Sequence, residues 1–431
     1  MRLMPVPQSS LILIEHKHGY RLFCSSSALL MDLCARSWQE AFATAQRLAA
    51  DWPAPADLQE GDQRTVFLTV CLTSECNLSC QYCYLHGAYP DWPVPDSPTS
   101  STFSVEPILE EIRSILDRRP QCFELNFFGG EPLLARTAIN VITRAARERS
   151  RELGIPIRIG VTTNGTLVDS PFLEWCAAND VTLMVSLDCP PNLHDRFRAH
   201  GHPGADFASI SARLRGFEAR THFVTTITHQ TPTIRSALEP LLNLGAQLVF
   251  FNLVHTRDAA LALQPRDARR FVGELQDAQD WYSSVSSRLG NLRRICDLLS
   301  GQRAKEHPCA AGKDGYAIAP SGDRYFCHSC VNQPDYALDS SRRPRSSSLQ
   351  VRLLSTRHDP ACERCWARRL CGGDCWLIRW HYSQAERRTR CTAIRAIARL
   401  ALSIYEPQAT LQPSRLAVRG GPGNLSEWDA R

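Results

Sequence analysis

At 431 residues and 43% hydrophobic content, the chain can bury a large core and divide into two or three units. Its 49 basic and 44 acidic residues leave a formal charge of +5, too balanced to point to nucleic acid or a membrane surface as partner. No apolar run reaches membrane-spanning length and residues 1–5 lack the apolar core of a secretory signal, so a cytoplasmic location is expected, where 18 cysteines suggest metal or redox sites more than disulfides.

Residues 1–62 read as a small α+β module. Short strands are expected at 11–15 and 20–24 around the turn at His18-Gly19, then a helix over 27–48 and a Pro-containing linker at 52–55. From 65 to 256 the chain alternates. Apolar β-type runs fall at 65–72, 123–127, 157–162, 181–187, 222–227 and 248–253, with helical patterns between most of them. One helix starts near Ser104 and carries Ile108, Ile112 and Ile115 on one face. Others start at Ser170-Pro171 and Thr231-Pro232, where a hydroxyl caps and proline suits the first turn. This alternation predicts an α/β fold with parallel strands and right-handed crossovers, and six units suit a partial barrel open on one side. Residues 89–102 read as a Pro-rich surface loop, 257–304 as a helical connector and 305–406 as a cysteine-rich unit. Within the last, 332–350 reads as a mobile insertion, and the polar tail 407–431 is expected to be disordered.

Seven cysteines (Cys24, Cys34, Cys71, Cys122, Cys176, Cys189 and Cys296) stand singly in apolar or helical stretches and read as small core residues. Cys76, Cys80 and Cys83 form a C-x3-C-x2-C run just after an apolar segment. Three thiolates hold three irons of a [4Fe–4S] cube and leave the fourth open to a ligand, whereas a fully ligated cube mostly relays electrons. The competing reading is zinc, closed by a fourth ligand such as His86.

With Tyr82 before the third cysteine, the run resembles the signature of the radical S-adenosylmethionine (SAM) superfamily. Gly129-Gly130-Glu131-Pro132 follows the next strand and resembles the segment that contacts the methionine amino group in that family. Asn164, in Thr163-Asn164-Gly165-Thr166, resembles a further family segment. Ser186, Asp188 and Arg198 match the pattern S-L-D-G-P followed by H-D-x-x-R. The resemblance implies Ser186 and Asp188 near the ribose or substrate, and Arg198 paired with the SAM carboxylate through its guanidinium fork. Cys189 departs from the pattern, standing where glycine is usual. A positive φ there would strain it, and a substrate-facing thiol is the alternative. The implied cofactors are SAM and a catalytic [4Fe–4S] cluster. Electron transfer to the sulfonium would release a 5′-deoxyadenosyl radical that removes hydrogen from carbon, with the protein positioning and shielding it.

Cys309, Cys327, Cys362, Cys365, Cys371, Cys375 and Cys391 resemble a SPASM domain, the C-terminal extension that holds two auxiliary [4Fe–4S] clusters. The resemblance implies that Cys362, Cys365, Cys371 and Cys391 ligate the distal cluster and Cys309, Cys327 and Cys375 the nearer one. Gly315 occupies the place of an eighth cysteine, so the nearer cluster has an open iron or is closed by Cys330 or His328. A zinc ribbon is the competing reading. The segment 365–376 resembles maturases of ribosomally made peptides. It implies a precursor-peptide substrate, an electron donor such as flavodoxin or ferredoxin, and thioether or carbon–carbon crosslinking. Many peptide-modifying enzymes carry a small N-terminal module that grips a leader peptide in this position, and a plain N-terminal extension is the alternative. Two alternatives stay open: formylglycine formation on a sulfatase, with Asp277 or Asp280 as base, and peptide epimerisation with Cys189 returning hydrogen. An alternative of another class is a non-catalytic iron–sulfur or zinc protein.

Overall fold

The computed structural model describes residues 2–7, 9–16, 19–25, 28–50, 65–86, 104–301, 305, 307–350, 353 and 359–406. The linker expected at 52–55, the loop at 89–102 and the tail from 407 lie outside them. The N-terminal part forms a four-stranded antiparallel meander, β1 (Arg2–Pro5), β2 (Leu11–His16), β3 (Gly19–Cys24) and β4 (Leu29–Leu33), followed by α1 (Trp38–Ala50). Both faces of this sheet are covered, which explains the unbroken apolar run 11–14. Leu11, Leu22 and Cys24 pack with Ala45 of α1, while Ile12, Ile14 and Phe23 pack against Leu299, Leu370, Ala398 and Leu402. The helix expected over 27–48 is thus corrected. Residues 29–33 pair with β3, Cys24 opposite Leu29, and the helix begins only at Trp38. A neighbouring strand overrode local helical pattern.

Six parallel strands follow in simple succession: β5 (Thr65–Cys71), β6 (Cys122–Phe128), β7 (Ile157–Thr163), β8 (Val181–Ser186), β9 (Thr221–Ile227) and β10 (Leu248–Leu253). Val70, Phe127, Val161 and Leu183 pair across the sheet as one buried rung. Between the strands run α2 (Glu106–Leu116), α3 (Arg136–Leu153), α4 (Ser170–Ala178) and α5 (Ile234–Asn243). Asp169 caps α4 and Thr233 caps α5, one and two residues from the expected starts. This is the expected α/β partial barrel. The connector supplies α6 (Pro265–Asp277), α7 (Gln279–Val285) and α8 (Gly290–Ser300).

The C-terminal part continues the same sheet. β11 (Gly315–Ile318) pairs parallel to β5, and β12 (Arg324–Tyr325) and β13 (Ala337–Leu338) extend it antiparallel to nine strands. The stretch 332–350, expected to be a mobile insertion, is instead built in. Leu338 and Leu349 are buried, and Arg342 joins Arg324 and Tyr316 on the buried Glu111 carboxylate of α2. The chain ends, among described residues, in the long helix α9 (Gln384–Ile404). No helix is long and apolar enough to cross a membrane among the described residues.

Candidate functional site

Loops leaving the C-terminal ends of β5, β6 and β7 meet at one place, as expected for parallel α/β sheets. The loop after β5 carries Cys76, Cys80 and Cys83. Its first residues press on the loop after β6: Gly130 N–H donates to the Thr73 carbonyl and Glu131 N–H to the Glu75 carbonyl, both at 2.8 Å. A Cβ on Gly129 would lie 2.3 Å from the Thr73 carbonyl oxygen, and one on Gly130 2.1 Å from that of Glu75. The two glycines therefore seat the cysteine loop by letting backbone touch backbone.

Glu131 is fully buried and its carboxylate is committed inward. It accepts from the Thr163 hydroxyl (2.7 Å), the Asn164 N–H (2.8 Å) and the Leu133 N–H (3.0 Å). Burial still pushes its pKa up against those three donors. Glu131 is thus a brace between two loops. Pro132 opens the short helical turn that runs to Ala135.

Asn164 points back at the cysteines. Its side-chain amide lies 3.7 Å from Cys76 Sγ and 2.9 Å from Asn77 Oδ1, and the Leu78 N–H lies 3.4 Å from the same sulfur. Asn77 in turn donates to Thr166. Sequence reasoning missed Asn77 and Thr166 as supports, although both sit inside the motifs it singled out.

The third group surrounds Asp188. Its carboxylate accepts from Arg198 Nε (2.9 Å) and Nη2 (3.3 Å), the Thr226 N–H (2.8 Å) and the Tyr82 hydroxyl. The Arg198 guanidinium also lies 5.4 Å over the Tyr82 ring. Burial works against the Arg198 charge, but Asp188 and the neighbouring thiols hold its pKa up. Asp188, expected near the ribose, is saturated by protein donors. Arg198, expected to pair with the SAM carboxylate, spends Nε and Nη2 on Asp188 and Thr226. His194, the first residue of the H-D-x-x-R pattern, accepts from the Asp188 N–H, and burial lowers its pKa. Ser186 ends β8 opposite Val224, half-buried.

Cys189 is 1% exposed within the main core and its φ is not positive, so neither strain nor a substrate-facing thiol is found. Asp277 and Asp280 are exposed on α6 and α7, and no contact carries Asp277 to the cysteine loops among the described residues.

In the C-terminal part, residues directly before two of the cysteines tie the loops together. Asp374 N–H lies 3.3 Å from Cys371 Sγ, and the Asp374 carboxylate pairs with the buried Arg390, next to Cys391. Arg390 also donates to the Leu253 and Val254 carbonyls, fixing this loop to the end of β10. A Cβ on Gly372 would lie 2.3 Å from the His307 carbonyl oxygen, so the segment leading to Cys309 crosses directly over that glycine. Gly315 begins β11, where a Cβ would meet Ala310 at 2.8 Å. A cysteine there has no room.

Cys330 is fully buried with its sulfur 3.4 Å from Cys327 Sγ, beside a cysteine of the nearer set. His328 faces Phe128 and Tyr84, and burial lowers its pKa to about 4.

Among the described residues no three His, Cys, Asp or Glu side chains gather as one metal ion requires. Burial pushes the Cys80 thiol up to about 12 and raises Cys76. Ligation by these thiols therefore releases protons. Cysteine thiols with amide donors aimed at the Cys76 sulfur fit a cluster.

Residues 70–242 match the Radical SAM superfamily, so the chain carries a radical SAM domain. Such domains use a [4Fe–4S] cluster and SAM. The chain is 24% identical over 334 residues to a serine-type anaerobic sulfatase-maturating enzyme of Klebsiella aerogenes, covering 70% of this chain and 76% of that protein. It is 25% identical over 331 residues to a cysteine-type anaerobic sulfatase-maturating enzyme of Clostridium perfringens, covering 70% and 86%. Its fold is similar to native anSMEcpe with bound AdoMet (TM-score 0.63, 17% identity, 78% of this chain and 96% of that one). It is also similar to Streptococcus suis SuiB bound to precursor peptide SuiA (TM-score 0.50, 14% identity, 90% and 98%).

Proposed function

We propose that the protein is a radical SAM maturase that modifies a peptide or protein side chain, with crosslinking of a ribosomally made peptide as the first reading. The observation that carries the radical chemistry is the meeting of the Cys76–Cys80–Cys83 loop with the Gly129-Gly130 and Asn164 loops. When bound, cluster and SAM supply a 5′-deoxyadenosyl radical that abstracts hydrogen.

The chain's own residues do the positioning. Gly129 and Gly130 seat the cysteine loop, and Asn164 and the Leu78 N–H face Cys76. Tyr82, Asp188 and Arg198 close the floor beneath it with a buried ion pair. The C-terminal cysteines Cys309, Cys327 and Cys375, with Cys362, Cys365, Cys371 and Cys391, are the proposed holders of two auxiliary clusters in a SPASM-type unit spanning 305–406. The relatives and the fold likeness support a peptide substrate. A reduced flavodoxin or ferredoxin is the proposed electron donor, and the N-terminal module is the proposed leader-peptide grip.

The sulfatase-maturing relatives favour a second reading, oxidation of a Cys or Ser side chain to formylglycine. That reading needs a base other than the exposed Asp277 or Asp280. Epimerisation through Cys189 loses support because that thiol is sealed in the core.

Anaerobic reconstitution tests the proposal. About twelve irons per chain, falling to about eight in the Cys76/Cys80/Cys83 triple Ala variant with loss of 5′-deoxyadenosine, is the expected result. Zinc, iron near four, or 5′-deoxyadenosine from the triple variant overturns it. Mass analysis of a peptide encoded beside the gene, against a sulfatase-type peptide, then separates crosslinking from formylglycine.

A further inference from the structure

Cys327 is flanked by Phe326 and His328, and each flank touches an aromatic side chain that directly follows another candidate cluster cysteine. The Tyr84 ring, next to Cys83, lies 5.8 Å from the His328 ring and stacks on Phe128 at 6.4 Å. The Trp376 ring, next to Cys375, lies 6.3 Å from the Phe326 ring and 5.9 Å from His307. Both carry a buried hydrogen-bond donor without an acceptor among the described residues, the Tyr84 hydroxyl and the Trp376 indole N–H. Ser329 faces the phenol but does not meet hydrogen-bond geometry.

A buried donor left unpaired is costly, and tyrosine and tryptophan inside proteins normally find partners. Phenylalanine would fill either place without that cost. Two such donors stand on opposite flanks of one cysteine, free to meet an acceptor that is not protein. Cluster sulfurs accept hydrogen bonds, and such bonds stabilise the more negative reduced state and raise the reduction potential.

We propose that Tyr84 and Trp376 are positioning residues for the cluster assigned to Cys309, Cys327 and Cys375, donating hydrogen bonds to its sulfurs from opposite sides and raising its reduction potential. Tyr84 also places that cluster's setting in direct contact with the loop of the catalytic cysteines, because it is joined to Cys83. The inference rests on the assignment of an auxiliary cluster to these three cysteines.

The test is an anaerobic redox titration followed by electron paramagnetic resonance on the reconstituted full chain, with the nearer cluster's signal defined as the one lost in Cys327→Ala. Tyr84→Phe and Trp376→Phe keep a ring and remove the donor. Each is expected to move that signal's midpoint to a more negative value, at unchanged iron content and with the catalytic-cluster midpoint unmoved. Ser329→Ala is expected to leave the midpoint at the wild-type value. A midpoint unchanged in either aromatic variant, a shift confined to the catalytic cluster, or reproduction of the shift by Ser329→Ala overturns the inference while leaving the cluster assignment intact. A wild type with no signal removed by Cys327→Ala overturns the assignment itself.

Discussion

Arg21 in β3 donates from Nη1 to the main-chain carbonyl of Tyr405 at 2.6 Å, just past the end of α9. The same nitrogen lies 3.0 Å from the Leu402 carbonyl, and Nε pairs with Asp32 at 2.7 Å. A cation at a helix C-terminus meets the unpaired last carbonyls and the negative end of the dipole. The N-terminal sheet is thereby fixed to the helix that carries Cys391. Phe23 adds an edge contact to Trp366, the residue after Cys365.

Replacing Arg21 with Ala strands several buried carbonyls and Asp32. A loss of about 2–3 kcal/mol is expected, from the usual worth of buried hydrogen bonds to a charge. Denaturant melts of anaerobic protein measure it. An unchanged midpoint would mean that the sheet is held by its apolar face alone.

Gly130→Ala drives a Cβ into the Glu75 carbonyl, a backbone atom that moves only with the cysteine loop. The variant is expected to lose about four irons per chain, those of the catalytic site, and to keep the C-terminal ones. Iron analysis together with SAM cleavage reads this. Full iron with full cleavage would mean that the loop tolerates the shift.

Asp188 and Arg198 are both buried, so removing one leaves a charge without its partner. Asp188→Ala is expected to cost about 3–5 kcal/mol, as for other broken buried pairs. The double change Asp188→Ala with Arg198→Met should cost less than the sum of the single changes. Additive losses in a thermal-melt cycle would show that the two residues act independently.

Glu111 sets a pH dependence. Burial alone would raise its pKa, but hydrogen bonds from Arg324 and Tyr316 and the charges of Arg324 and Arg342 outweigh it and hold the pKa below the usual range. The folded value lies below the unfolded one, so the contribution is complete above about pH 4.3 and is lost as pH falls through the lowered folded value. Glu111→Gln should flatten the acid limb of a stability–pH curve. A curve that keeps its wild-type slope would assign that limb to other carboxylates.

The six barrel strands were legible because each is an apolar run long enough to identify, and parallel strands sealed on both sides need such runs. β4 was not, since Leu29–Leu33 carries no strand signal of its own and becomes one by pairing with β3. The segment 332–350 read as an insertion for the same reason. Its serines and arginines look like a solvated loop until Arg342 meets Glu111, far away in sequence.

The cysteine spacing, the paired glycines and the Asn-Gly turn, together with the strand–helix alternation, determined by themselves which loops carry chemistry and which cofactor class suits them. Spacing within a loop is local, and a short loop limits what its thiols can hold. The tertiary structure alone decided which protein groups each polar motif residue meets. The Glu131 carboxylate meets the loop after β7, and Asp188 and Arg198 meet each other, contacts no motif announces. It likewise placed Cys330 beside Cys327, sealed Cys189 in the core and left Tyr84 and Trp376 with unpaired donors. Burial and partners depend on residues distant in sequence, and these set the electrostatics of a buried group more than its own identity does.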